Sequence, residues 1–376
     1  MTDSHRIKEV HLDWSSKQGR ILTGSGIAEK MYTAERGFPF STSELPHFYK
    51  MAGTSVEAFK SWKEQGLTST LVVGAWSRPL FVGGWEHSTD RDELVFNLQT
   101  PSLFIDLRLP RTRAAFFHRD NIHSLSDLTD EELRLFARQH VFGGYTLPEV
   151  LPSDGRTVCT RHHCIDWNFV GKPRSRPNKW YVEMNEENRN MWKELSFAKD
   201  EKGSHYYWER WERHLNDGHF NGVNADGSPV VGLRRNRVGE TSDALLIIIG
   251  SHFNYLYDRG TITAPPLNLR RKDAPNGVVS LVDMALEEGN RALAEQYLSI
   301  DAGHGTINSS IFYTHNAIRP WNENTIFLSP EQILSMGESF IRMKNGETWE
   351  IFETNLNFPE LKQLFGFPAA AGRSKL

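Results

Sequence analysis

The feature that most constrains this chain is punctuation. Short runs of β-branched, aromatic and aliphatic residues recur along nearly its whole length, and each is cut off by Gly, Pro, Asn or Asp. Such runs are too short for long helices and too evenly spaced for a βαβ repeat. They predict a mainly β fold of antiparallel strands closed into barrels or packed as sandwiches, with few helices. Expected strands are Ser69 to Val73, Leu80 to Trp85, Leu94 to Leu98, Leu103 to Leu109, Val158 to Phe169, Lys179 to Glu183, His205 to Arg213, Ala244 to Ile249, Phe253 to Tyr257 and Thr306 to Thr314. The clearest hairpin joins Ser339 to Met343 with Thr348 to Phe352 through Asn345-Gly346, a pair suited to a tight type I′ turn.

Helical patterns are sparse: Val56 to Gln65; Asp130 to His140, with Thr129 and Glu132 spaced as a capping box; and Val278 to Leu298, weakened in its middle by Gly289-Asn290. At 376 residues the chain exceeds the usual size of one core. Pro and Gly density between Leu147 and Gly155 suggests a boundary there. The expected organisation is a β-rich domain over 1–150 with helices near 56–65 and 130–140, and a second over 151–366 with a helix near 278–298. A flexible tail at 367–376 follows.

Composition narrows the partners. With 43 basic and 47 acidic residues the net charge is -4, so no field of one sign recruits nucleic acid. The basic clusters Arg234 to Arg237 and Arg270 to Lys272 read as solvated loops, or as holders of a phosphate or carboxylate. The amino-terminal residues are polar, with no apolar h-region, and the longest apolar run, Ala244 to Gly250, is about a third of a membrane span. Cys159 and Cys164 would lie about 16 Å apart on one extended strand, too far to bridge. At the carboxyl end Ser374-Lys375-Leu376 has the form read by the peroxisomal import receptor, which predicts delivery to the peroxisomal matrix.

Three strands carry residues suited to chemistry. On Leu103 to Leu109, alternation sets Phe104, Asp106 and Arg108 on one face, where Arg108 would bind an anion, Asp106 orient it and Gln99 add a polar contact; a solvated charged face is the competing reading. On Thr160 to Asn168 it gathers His162, Cys164, Asp166 and Asn168 on one side and His163, Ile165 and Trp167 on the other. Here His162 or His163, with Asp166 fixing a tautomer, would serve general acid-base chemistry, or the histidines would simply be hydrogen-bonded at a sheet edge. Same-face residues about 7 Å apart on one strand converge poorly on an ion, so no metal is expected. On His205 to His214, Tyr207, Glu209 and Trp211 share a face that would line an aromatic pocket, with Glu209 and Tyr207 as second acid-base or orienting groups and Trp211 as a binding surface. Gly303-His304-Gly305 reads as a turn. Walker-A, G-x-G-x-x-G, H-E-x-x-H and G-x-S-x-G signatures are all missing.

Laid out this way, Leu94 to Leu109, Arg161 to Trp167, His205 to Trp211 and Asp243 to Tyr257 resemble the calycins, the lipocalin-like antiparallel barrels with a ligand cavity. The chain lacks the lipocalin Gly-x-Trp signature near the start of the barrel, of which Gly84-Trp85 and Gly74-Ala75-Trp76 are distant echoes. The resemblance implies a cavity, in one barrel or in two packed together, and leaves catalysis open. The expected function is a cofactor-independent enzyme, a lyase, isomerase or hydrolase, acting by acid-base chemistry on a small organic acid or acyl compound in a barrel pocket. The alternative is a non-catalytic carrier or sensor of a hydrophobic or acyl ligand.

Overall fold

The computed structural model describes residues 71–83, 87–115, 121–150, 155–170, 178–199, 202–214, 219–220, 223–224, 228–236, 242–260, 262 and 277–368. The expected helix at 56–65 and the targeting tripeptide at 374–376 lie outside them.

Two antiparallel sheets make up the fold. The first contains β1 (Gly74–Gly83), β2 (His87–Thr89), β3 (Glu93–Gln99), β4 (Leu103–Pro110), β5 (His140–Val150), β6 (Thr157–Asp166), β7 (Asn178–Met184), β8 (Met191–Ser196) and β9 (Tyr207–Arg213). Because β9 pairs back onto β1, eight of these strands close into a barrel, and β2 hangs on β1 as a short hairpin arm. A minor hairpin, β10 (His219–Phe220) with β11 (Val223–Asn224), follows.

The second sheet runs in the order β17-β16-β15-β14-β13-β12-β20-β19-β18 and is curled but open. Its strands are β12 (Val230–Asn236), β13 (Ser242–Ile249), β14 (His252–Tyr257), β15 (Asp301–Asn308), β16 (Ile311–Ala317), β17 (Thr325–Leu328), β18 (Ile333–Met336), β19 (Phe340–Met343) and β20 (Thr348–Thr354). Four α-helices are described: α1 (Asp130–Phe136), α2 (Val278–Glu287), α3 (Arg291–Tyr297) and α4 (Phe358–Leu364).

Strand alternation builds three layers of core. Leu98, Leu103, Ile105 and Leu107 on the outer wall of the barrel pack against Leu245, Ile247 and Leu256 of the second sheet, with α1, α2 and α3 completing that core. The opposite face of the second sheet carries Leu246, Ile248, Phe253 and Phe312, covered by Leu361 of α4 and by Phe365. The barrel lumen holds a third, tryptophan-rich cluster. Polar bonds tie the sheets together: Asn254 Nδ2 donates to the Phe96 and Ile105 carbonyls (3.0 and 3.2 Å), and Arg234 Nη1 to the Tyr145 hydroxyl (2.8 Å).

Several local expectations shift. The sheets divide after Arg213, whereas the segment near Leu147 to Gly155 links β5 and β6, neighbours in one barrel. The helix from Asp130 stops at Phe136, and His140 already opens β5; the Thr129-Glu132 capping box is present. The helical pattern from 278 to 298 is two helices, since Asn290 caps the second by accepting from the Leu293 amide. Gly303-His304-Gly305 is not a turn but the middle of β15. A Cβ at Gly305 would lie 1.9 Å from the Tyr313 carbonyl oxygen, so glycine there permits close strand packing. Strands β2, β5, β8, β10, β11, β12, β17 and β18 had no counterpart among the expected ones.

Candidate functional site: the lumen of the closed barrel

Alternation along each strand decides what enters the lumen. β4 sends in Phe104, Asp106 and Arg108; β3 sends in Val95, Asn97 and Gln99; β9 sends in Tyr207, Glu209 and Trp211. These are the faces that period-two reading assigns them. To them β1 adds Trp76 and Arg78, β6 Arg161, β7 Trp180, and β8 Trp192 and Glu194. An eight-stranded barrel is wide enough either to be filled by side chains or to hold one small ligand.

Charge in the lumen is arranged as a closed network. Arg108 clamps Asp106 through Nε and Nη2, both at 2.9 Å, and its Nη1 lies 3.6 Å from Glu209 Oε1. Arg161 reaches Asp106 at 3.4 Å, donates to Asn97 and Gln99 at 3.2 Å each, and is sandwiched between the rings of Phe104 and Trp180. Arg78 joins Glu93 to Glu209, the latter bond at 3.0 Å. Burial alone would push the Asp106 carboxyl up, but the Arg108 and Arg161 guanidiniums outweigh it and hold the group below the usual carboxylate range. Arg108 is correspondingly committed to Asp106, so it offers no free guanidinium to an anion. Gln99 is likewise engaged, accepting from Thr146 Oγ1 (3.1 Å) and from Arg161.

Glu194 and Glu209 stand opposite each other across β8 and β9. Tyr207 Oη donates to Glu194 Oε1 (2.9 Å). Burial, with Glu209 beside it, raises the Glu194 carboxyl to about 8. Among the described residues neither Glu194 Oε2 nor Glu209 Oε2 has a hydrogen-bond partner, and the indole N–H groups of Trp180, Trp192 and Trp211 and the Asn97 Nδ2 also lack one. All are nine-tenths or more buried. Buried polar atoms are seldom left unsatisfied without a water, ion or ligand to meet them.

The histidine-rich strand departs from simple alternation. Gly143 faces Ile165 and Gly144 faces His163, so Cys164 is an extra residue, a β-bulge. The bulge turns His163 and Asp166 to the same side, where His163 Nδ1 meets Asp166 Oδ2 at 2.5 Å and the imidazole stacks on Phe142. Strict alternation had separated them. His162 is on the other face from Arg161, buried, with its imidazole pushed down to about 3 by burial and by His163. It is a neutral ring apart from the lumen groups. Asn168 Nδ2 donates to His140 Nε2 (2.8 Å), and burial lowers His140 to about 3. Neither cysteine is in a disulfide, and burial pushes the Cys164 thiol up to about 12.

The structure thus gathers Gln99, Asp106, Arg108, Tyr207, Glu209 and Trp211 in one lumen, places the His163-Asp166 pair on the neighbouring β5-β6 wall beside Phe104 and Phe142, and leaves His162 out. Sequence reasoning missed Glu194, Arg78, Asn97, Trp180 and Trp192. The signal for Glu194 was present: Trp192, Glu194 and Ser196 alternate with Lys193 and Leu195. No group of three or more His, Cys, Asp or Glu among the described residues has metal-binding geometry.

Fold and lumen together define an antiparallel β-barrel protein with a charged, tryptophan-lined interior. No protein-family model matches the chain, and no curated protein matches it. The crystal structure of an uncharacterized protein from Saccharomyces cerevisiae is similar at 10% identity and a TM-score of 0.39, covering 75% of this chain and 98% of that one. No helix among the described residues is long and apolar enough to cross a membrane.

Proposed function

We propose that the closed barrel is a small-molecule site working by acid-base chemistry of its own side chains, and that its substrate is an uncharged acyl compound. The observation that carries this reading is the Glu194-Glu209 pair, two cross-strand carboxyls in a buried lumen, each with an oxygen left without a partner among the described residues. A buried carboxyl that keeps its proton can donate to a bound molecule while a neighbouring side-chain oxygen accepts. Glu194, raised to about 8, is the donor near neutral pH, and Glu209 Oε2 is the acceptor by its position directly across from it. Since the lumen arginines are paired with acids inside the barrel, the reading moves from an organic acid gripped by Arg108 to a neutral carbonyl compound resting on Trp180, Trp192 and Trp211. The likeness to calycins fits this reading, as does delivery to the peroxisomal matrix through Ser374-Lys375-Leu376.

Proton abstraction is tested without knowing the net reaction. The protein is incubated in D2O with N-acetylcysteamine thioesters of short fatty acids, and proton NMR follows exchange at the carbon next to the carbonyl. The expected result is exchange that Glu209→Gln slows by roughly a hundredfold. The unsatisfied indole donors favour a bound ligand whether or not it turns over. Saturable thioester binding with no exchange would therefore establish the carrier.

A further inference from the structure

The second sheet carries a pocket of its own, on the face turned away from the closed barrel. Its edge strands are β17 and β18, and the chain passes directly from one to the other through Ser329 and the single turn Pro330–Gln332. The sheet is therefore curled until its two edges are joined at one end, leaving a slot between them. The residues that follow α4 stop that end: a Cβ at Gly366 would sit 2.4 Å from Pro330 Cγ, and Phe365 stacks on Phe312 at 5.7 Å.

Inside is a hollow of about 460 Å³, its open mouth included. Tyr257, Phe327, Trp349 and Phe365 supply aromatic walls, with Tyr257 edge-on to Trp349 at 5.7 Å. Amide and carboxylate lining is confined to Gln332, Asn345 and Glu347. Each is engaged: Gln332 Oε1 accepts from the Ser329 amide, Asn345 Oδ1 from the Glu347 amide, and Glu347 pairs with Arg235. No lysine or arginine lines the hollow. Large hydrophobic side chains are exposed at only three described positions, and two of them, Ile326 at 51% and Leu334 at 63%, lie one on each edge strand beside the slot. Exposed apolar residues flanking an aromatic hollow mark a binding mouth.

We infer that this half-barrel is a second ligand site, distinct from the lumen of the closed barrel, and that it takes an uncharged planar aromatic amphiphile. A flat ring fits between aromatic walls, and a hydroxyl or carbonyl on it meets the Gln332-Asn345-Glu347 rim. An anion would find no cation among the lining side chains, and the nearby Arg235 guanidinium is already paired with Glu347 and stacked on Tyr257 and Trp349. The site lies on the other face of the sheet from Glu194 and Glu209, so it stands or falls separately from the acid-base reading.

The test uses the full chain with 2-naphthol as probe and naphthalene-2-sulfonate as its charged counterpart, followed by calorimetry and by energy transfer from tryptophan to bound 2-naphthol. The expected result is saturable 2-naphthol binding, with the sulfonate roughly tenfold weaker or more, unchanged in Glu194→Gln and cut roughly tenfold or more by Met343→Trp, which fills the mouth. Trp349→Phe leaves the fold intact by conservation of an aromatic ring and removes most of the transfer signal, which covers the case of a misfolded Met343→Trp. Lack of binding, stronger binding of the sulfonate, transfer unaffected by Trp349→Phe, or loss of binding in Glu194→Gln would each overturn the proposal. So would a dimer that Leu334→Asp dissociates and 2-naphthol does not, because a second copy of the chain would then occupy the slot.

Discussion

Glu194 and Glu209 occupy directly opposed positions on β8 and β9, and their outer partners differ: Tyr207 holds Glu194, while Arg78 holds Glu209. Cross-strand neighbours bring their Cβ atoms within about 5 Å. Burial, with the Glu209 carboxyl beside it, keeps the proton on Glu194.

The first prediction follows from that asymmetry. Below pH 4.5, the ordinary value for a glutamate, folded and unfolded chains both carry the Glu194 proton, and its contribution to stability is complete. As pH rises from 4.5 to about 8 the unfolded chain releases this proton and the folded chain does not, so stability falls by about 1.4 kcal/mol per pH unit from this group. Glu194→Gln mimics the protonated form and still accepts from Tyr207. Urea titrations at several pH values should show the variant losing that slope and gaining on the order of 3 kcal/mol over the parent at pH 7. An unchanged slope would show that Glu194 does not hold a proton in the fold.

Thiol chemistry gives the second prediction. Burial raises Cys164 to about 12 from an ordinary 9, which cuts its thiolate fraction near neutral pH by roughly a thousandfold. Cys159 is buried against the lumen tryptophans. Iodoacetamide at pH 7.5 should leave both cysteines unmodified in the native protein while alkylating both in guanidinium chloride. Mass spectrometry of intact protein reads the two states.

How much of this was legible in sequence depends on where alternation survives. Leu103 to Leu109 and Tyr207 to Arg213 run without interruption, so Asp106, Arg108, Tyr207, Glu209 and Trp211 could be assigned to a shared interior from period two alone. Thr157 to Asp166 is interrupted at Cys164, and nothing in its composition announces the bulge, so alternation set His163 and Asp166 on opposite faces and left the partner of Asp166 open between His162 and His163. Strand β5 was hidden because Val141-Phe142-Gly143-Gly144-Tyr145 reads as the end of a helix and a breaker. Closure of the barrel depends on β1 meeting β9, a pairing between residues more than a hundred positions apart that no local pattern encodes.

The bulge itself makes the third prediction. A Cβ on Gly144 would lie 2.0 Å from the His162 carbonyl oxygen and 2.8 Å from the Cys164 amide nitrogen, both backbone atoms. Neither can yield without breaking the β5-β6 register. Gly144→Ala should cost about 3 kcal/mol in urea denaturation, toward the upper end for overpacking. Gly260→Ala, where the added methyl meets nothing within 4 Å, should change stability by less than about 0.5 kcal/mol. Equal effects would place the bulge elsewhere.

Import is the fourth. If Ser374-Lys375-Leu376 is read by the peroxisomal receptor, a fluorescently tagged chain carrying its own terminus should be punctate, and deletion of Leu376 should leave it diffuse. A punctate pattern that survives the deletion removes the organelle from the functional reading.

The last prediction concerns Asp106, the acid that two arginines share. Removing it by Asp106→Ala takes the bidentate partner from Arg108, leaving it Glu209 Oε1 at 3.6 Å, and takes the carboxylate from Arg161, in a lumen where Asp106 has no exposed surface, and the loss should be about 3–5 kcal/mol. Arg161 retains Asn97, Gln99 and the faces of Phe104 and Trp180, so the larger share of that loss belongs to Arg108. Replacing both members, as Asp106→Leu with Arg108→Met, removes the stranded charge together with its partner, and Glu209 keeps Arg78. The double variant should therefore be less destabilised than the two single changes combined by about 2 kcal/mol or more in a urea double-mutant cycle. Strict additivity would mean that the clamp is held in place by the barrel wall and contributes no coupling of its own, and Arg108 would then be free to turn toward an anionic ligand after all.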